Sequence, residues 1–181
     1  MLIGLTGTPG TGKTSVSRRL EDECGYRVIH LNDLIKEEHL YSEIDEIRGS
    51  VIADMDRVVD RISELVDDPD EVVILDSHLS HHVADTVIVL RTAPDELKRR
   101  LALRGYNEDK IGENVEAECL DVILVESVEW CKNVFEVGNT RRPVEDVVAA
   151  IVEIIQCLPG GDLDRLDKYQ PGSFDWSEEI P

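Results

Sequence analysis

The chain carries Gly7-Thr8-Pro9-Gly10-Thr11-Gly12-Lys13-Thr14 directly after the apolar run Leu2 to Leu5. This stretch satisfies G-x-x-x-x-G-K-[ST] at every fixed position, with a strand pattern before it and a helix pattern after it, the context in which the motif has meaning. Glycines at 7, 10 and 12 let the backbone curl so that its N–H groups point inward, and a helix starting near Lys13 adds its positive end to the cradle. Such a nest fits a polyphosphate. Lys13 would reach the β- and γ-phosphates and the Thr14 hydroxyl would hold Mg²⁺, so the segment implies ATP or GTP with a divalent ion, contacted along Gly7, Thr8, Pro9, Gly10, Thr11, Gly12, Lys13, Thr14 and Ser15.

Outward from the loop, five short apolar runs alternate with helical patterns: Leu2–Leu5, Arg27–Leu31, Val72–Leu75, Thr86–Leu90 and Val134–Val137. That alternation predicts an α/β fold, a parallel sheet with helices on both faces. Val51, Ile52, Met55, Val58, Val59, Ile62, Leu65 and Val66 recur at helical spacing. Val144 to Ile155 predicts a second helix, opened by Arg142-Pro143 and closed by Pro159-Gly160-Gly161. A length of 181 residues, 41% hydrophobic, suits one domain with a substantial core. Beyond it, residues 158–181 form a polar tail anchored, if at all, by Tyr169, Phe174 and Trp176.

A phosphate loop does not separate kinases, GTPases and motor ATPases, so the discriminating residues are expected at the C-terminal ends of the other strands. Asp76 follows the third run, where an acidic residue either holds Mg²⁺ together with Thr14 or caps the next segment. His78, two residues on, has two readings: it orients or deprotonates a water near the γ-phosphate, or it contacts an acceptor nucleotide. His78, His81 and His82 resemble a metal cluster, but the sequence offers no further ligand at zinc spacing. Arg100 and Arg104 share a helix face that ends at Gly105 and suit a lid closing on transferring phosphate, with ion pairs to Glu96 or Glu108 as the competing role. Arg142 follows the fifth run, where it stacks on the base or caps a loop.

Composition narrows the class further. Against 39 acidic residues stand only 19 basic ones, a formal charge of −20, which disfavours general binding to nucleic acid. The basic set is 13 Arg and 6 Lys. An acidic, lysine-poor surface suits either concentrated salt or a basic protein partner. No apolar run approaches the ~18 residues of a membrane span, and the chain enters its first strand at once, which predicts a soluble cytoplasmic protein without signal peptide or membrane contact. Cys24, Cys119, Cys131 and Cys157 match no zinc or redox spacing and read as reduced thiols.

Taken together, GTPGTGKT, LNDLIKEE, RVVDRI, ILDSH, VLRT and RGYNEDK resemble the atypical adenylate kinase family of archaea and eukaryotic nuclei, whose members also act as ATPases in small ribosomal subunit assembly. The resemblance covers about residues 1–157. It implies a P-loop kinase domain with five parallel strands, a monophosphate-binding region around 30–53 and a short lid around 103–113. It also implies Mg-ATP as donor, AMP as acceptor and ADP as product. ATP contacts are implied from Gly10, Gly12, Lys13, Thr14, Ser15, Arg104 and Arg142, catalytic work from Lys13, Asp76, His78, Arg100 and Arg104, and a basic small-subunit ribosomal protein as partner. The chain departs from the pattern on the acceptor side. Asp33-Leu34-Ile35-Lys36 places a lysine where adenylate kinases usually put an arginine on the AMP phosphate, and Arg57 is the substitute for a second arginine. The acceptor set expected is Asp33, Lys36, Arg57 and His78.

Overall fold

The computed structural model describes residues 1–45, 50–161 and 163–179. In chain order its elements are β1 (Leu2–Thr6), α1 (Lys13–Asp22), β2 (Arg27–His30), α2 (Leu31–Glu37), β3 (Tyr41–Asp45), β4 (Ser50–Ala53) and α3 (Met55–Leu65). There follow β5 (Val73–Asp76), β6 (Thr86–Arg91), α4 (Pro94–Leu103), α5 (Glu108–Cys119), α6 (Val122–Trp130), β7 (Asn133–Gly138) and α7 (Val144–Cys157). The five expected strands form one parallel sheet in the order β2-β5-β1-β6-β7. Every residue of β5 and β6 is buried, because helices cover both faces, and the runs are correspondingly continuous in apolar character. The order reverses direction at β1, so the crevice beyond the carboxyl ends of β1 and its neighbours is where an open α/β sheet binds ligand.

One core lies between β1, β6, β7 and the helices α1 and α7, and it includes Leu20, Phe135, Ile151 and Ile154. A second packs Leu31 and Ile35 of α2 and Val58 and Ile62 of α3 against Leu75. Each such side chain contributes roughly 1.5–3 kcal/mol on burial.

One sequence expectation needs correction, and one left open is answered. Val51 and Ile52 belong to β4, which pairs antiparallel with β3, and α3 starts only at Met55, where the Asp54 carboxylate accepts the Arg57 N–H as a cap. Val51 packs on the second core while Ile52 is 51% exposed: the period there is two, and the helical spacing of the longer stretch masks it. Residues 46–49 of the expected monophosphate-binding region lie outside the described residues. The region after 157 is no bare tail. Leu166 is buried in the main core, the Tyr169 hydroxyl donates to Glu153 at 2.8 Å, and the Phe174 ring lies against Gly138, where an added Cβ would sit 2.5 Å from it. All four cysteines are free. Among the described residues, no helix is long and apolar enough to cross a membrane.

Candidate nucleotide site

The loop turns with positive φ at Gly7 (131°) and Gly12 (102°), and neither position accepts a side chain: a Cβ would lie 2.4 Å from the Leu90 carbonyl oxygen at Gly7 and 2.4 Å from Asn139 Nδ2 at Gly12. A nest of inward N–H groups requires carbonyls turned outward. The Thr11 carbonyl is held that way by three donors: Asn139 Nδ2 at 2.7 Å, Arg100 Nη1 at 3.3 Å and Thr92 Oγ1 at 3.3 Å. On the other side, the Thr8 hydroxyl donates to the buried Glu118 carboxylate, which is itself fixed by Arg91 Nε at 2.9 Å and the Thr92 N–H at 3.1 Å. The whole loop is braced from beneath.

Lys13 opens α1 and folds back over the loop, donating to the Gly7 and Thr8 carbonyls at 2.6 and 3.2 Å. Burial pushes its ammonium down to about 8, against the attraction of Asp76 and Glu118, while Arg104 repels it. Asp76 is the last residue of β5 rather than the first after it. Its Oδ2 accepts from Ser17 Oγ at 2.7 Å and pairs with His30 Nδ1 at 3.1 Å; among the described residues no hydrogen bond reaches its other oxygen. A buried carboxylate with one oxygen to spare, tied through Ser17 to the helix α1 that carries exposed Thr14, offers with that hydroxyl hard oxygen donors that fit Mg²⁺. His78 is held down to about 4 by burial first, then by Lys13, His81 and His82, so its ring is neutral at physiological pH.

The remaining expected residues are dispersed. Arg100 does not reach into the cradle: its Nη2 donates to the Asn139 carbonyl at 2.7 Å and its Nε to Glu96 at 2.8 Å, so the residue expected to close on transferring phosphate is a strut under the loop. Glu96, which also pairs with Arg99, is thereby held down to about 2. Arg104 is exposed at the end of α4 and close enough to Lys13 to repel its charge. Arg142 stays at the foot of β7, donating to the Gly138 and Asp146 carbonyls, both at 3.3 Å. Asp33 and Lys36 lie on the exposed face of α2, and Arg57 Nη1 is tied to the His39 carbonyl at 2.9 Å. Pro9 and Gly10 continue the loop, and Ser15, exposed, closes the first turn of α1 through its N–H to the Gly12 carbonyl at 3.1 Å.

Sequence reading missed Ser17, His30, Asn139 and the Arg91–Glu118 pair. Ser17 lies one helical turn beyond Lys13, and Arg91 is a lone charge ending an all-apolar strand, which signals a buried ion needing partners. Arg91 meets three carboxylates, Glu118, Asp121 and Glu136, with its guanidinium 4.8 Å from the Trp176 ring. Burial raises Glu136, and the Ser173 and Gly172 N–H groups offset that rise from 2.8 and 3.0 Å.

A braced phosphate nest, an invading lysine and an acidic strand end on a β2-β5-β1-β6-β7 sheet define a P-loop phosphotransferase of the nucleoside-monophosphate-kinase type. The family profile described as "AAA domain" matches residues 3–121. The chain is 56% identical over 182 residues, covering all of both chains, to a protein of Methanosarcina barkeri provisionally named adenylate kinase. It is 39% identical over 180 residues, 99% of this chain and 94% of the other, to the similarly named protein of Methanocaldococcus jannaschii. The chain belongs to this family of adenylate kinase-type P-loop proteins. The similarity, expected to end near residue 157, runs through the C-terminal segment as well. Among solved structures, shikimate kinase from Bacteroides thetaiotaomicron shares the fold, with a TM-score of 0.57 at 19% identity over 86% of this chain and 98% of that one.

Proposed function

We propose that the protein transfers the γ-phosphoryl group of Mg-ATP to AMP, giving two ADP, with ATP hydrolysis as a competing outcome. The observation that carries this reading is the convergence of Lys13, Asp76 and neutral His78 at the carboxyl ends of β1 and β5, in a chain related end to end to proteins provisionally named adenylate kinase. When bound, Mg²⁺ neutralises charge on the β- and γ-phosphates, and Thr14 and Asp76 are the residues to hold it. Ser17 and His30 keep the Asp76 carboxylate aimed, and the Thr11 carbonyl clamp keeps the N–H groups inward, so no reorganisation is needed at the moment of transfer. Lys13 exchanges the Gly7 and Thr8 carbonyls for phosphate oxygens, regaining the counter-charge that burial denies it. An AMP phosphate oxygen attacks the γ-phosphorus in line, and the bond to the ADP oxygen breaks.

Hydrolysis replaces that oxygen with water. With its ring held near about 4, His78 is too weak a base to take the proton early, so it acts by accepting a hydrogen bond from the water and aiming it. The lid expected at 103–113 is short: one turn around Gly105 and the first residues of α5, with Leu103 75% exposed. Short lids exclude water poorly, which favours this competition. ADP formed from Mg-ATP alone and accelerated by AMP but not by other monophosphates supports the assignment; acceleration by another monophosphate, or none, overturns it.

A second reading concerns a partner. On α6, Val122, Val125 and Val128 are 38–54% exposed, in a chain of charge −20. An apolar stripe in an acidic surface suits a basic protein, and a basic small-subunit ribosomal protein is the partner proposed, its grip switched by the ATP cycle. Equal affinity in ATP and ADP would overturn the switch.

A further inference from the structure

The sequence offers His81 and His82 no further ligand, yet the fold brings one from 44 residues away. Both histidines lie on the single 3-10 turn Ser80–His82 after β5, and Glu126 of α6 places Oε2 3.0 Å from His81 Nε2. The imidazole rings are 4.3 Å apart at 35°, and one ligand atom from each of His81, His82 and Glu126 lies within 4.8 Å of the others. The Trp130 indole stacks on the His81 ring at 5.8 Å and meets the His82 ring tilted by 38° at 4.9 Å. A cavity of about 260 Å³, lined by His81, His82, Val83, Ala84, Asp85 and Trp130, opens beside them.

We propose that His81, His82 and Glu126 form a second metal site, separate from the nucleotide magnesium, for a late first-row divalent cation, zinc above all, with its fourth position facing the cavity. Two imidazole nitrogens and one carboxylate oxygen are the donors zinc takes and magnesium does not. Tetrahedral bonds of about 2.0–2.2 Å put ligand atoms roughly 3.4 Å apart. His81 and Glu126 are already within that distance, and the other separations close by a rotation of His82, which is exposed. His81 itself is fixed. Its Nδ1 lies 3.2 Å from the Thr6 hydroxyl, the arrangement that orients a metal-bound imidazole through its other nitrogen. With metal on Nε2, Nδ1 carries the proton and donates to Thr6 Oγ1. Thr6 is the residue before Gly7, so an ion here clips the turn after β5 to α6 and stiffens the strand end from which the phosphate loop departs.

The test is calorimetric titration of ZnCl₂ into the full chain with excess MgCl₂ present to fill the hard-oxygen sites, with tryptophan emission followed in parallel. Expected are one equivalent of tight binding, a change in emission from Trp130, and at least tenfold weaker binding in His82→Ala and in Glu126→Gln. Zinc binding that is absent, or equally tight in both variants, overturns the proposal. Co²⁺ titrated into the unmodified chain gives a check independent of variant folding. An intense visible band without thiolate charge transfer supports the N,N,O set; a weak six-coordinate spectrum, or a thiolate band from a neighbour such as Cys131, rejects it.

Discussion

The donor and acceptor sides of the crevice are built to different standards. Under the phosphate loop, key groups have their partners before any ligand arrives: three donors hold the Thr11 carbonyl, and Glu118 and Arg91 anchor the Thr8 side in a buried network that extends to Gly172 and Ser173. Across the crevice, Asp33 and Lys36 stand in solvent, and Arg57 spends a guanidinium nitrogen on a backbone carbonyl. Preorganisation lowers the free energy of binding only where the ordering has already happened. In the proposed reaction ATP would therefore meet a finished site, whereas AMP would have to order side chains as it binds.

The comparison breaks most directly at Lys13. Lys13→Ala removes the one ammonium inside the cradle and should lower both kinase and ATPase rates by about 10²-fold or more, the loss of roughly 3 kcal/mol of transition-state stabilisation. Because, among the described residues, the Lys13 side chain hydrogen-bonds to loop carbonyls alone, the fold should survive, as a melting curve will show. Near-normal turnover would remove the loop from the chemistry altogether.

His78 sharpens the comparison because the two proposed reactions would use it differently. Transfer to AMP brings its own oxygen, whereas hydrolysis needs a water aimed at the γ-phosphorus. His78→Asn should reduce hydrolysis at least about tenfold while AMP phosphorylation falls less. Parallel losses in single-turnover measurements of the two rates would reassign His78 to binding the acceptor.

How much of this was legible in the sequence follows from how far the relevant forces reach. The loop, Asp76 and the five strands were readable, because each is set by neighbours within a few positions: glycine for positive φ, continuous apolar runs for buried parallel strands. The hairpin of β3 and β4 was not, since Val51 and Ile52 fit a helical period as well as a strand's until Asp54 is seen to cap. Arg100 was legible only in its competing role, the ion pair to Glu96, for a related reason. Its spacing from Arg104 is local, but its partners, Thr11 and Asn139, come from other elements. Glu126, Glu118 and the docking of Phe174 on Gly138 are products of topology, and no window of sequence contains both members of such pairs.

Asn139 tests whether the bracing itself matters. Asn139→Ala removes the shortest of the three bonds to the Thr11 carbonyl, leaving Arg100 and Thr92 at 3.3 Å. A buried hydrogen bond of this kind contributes about 1 kcal/mol, so KM for ATP should rise roughly fivefold and stability should fall by a similar energy. The KM for AMP should stay put. If it rises equally, the two sides are not independently built.

The smallest effect is expected on the acceptor side, where it runs in the favourable direction. Lys36 offers a point charge on a flexible stem, and Lys36→Arg supplies a planar fork able to take a phosphate through two parallel bonds. Because the side chain is exposed and, among the described residues, makes no hydrogen bond of its own from the side chain, the exchange disturbs no packing. Part of the gain is offset by the entropy of ordering a long side chain, roughly 0.5–1.5 kcal/mol, so KM for AMP should fall only about two- to fivefold with kcat nearly constant. ATP hydrolysis without AMP should not change, since Lys36 stands exposed on α2, away from the phosphate loop. A larger fall in KM would mean that Lys36 is already ordered and the acceptor side is better prepared than its solvent exposure indicates; no change at all would move the AMP phosphate away from α2, toward Arg57 or His78.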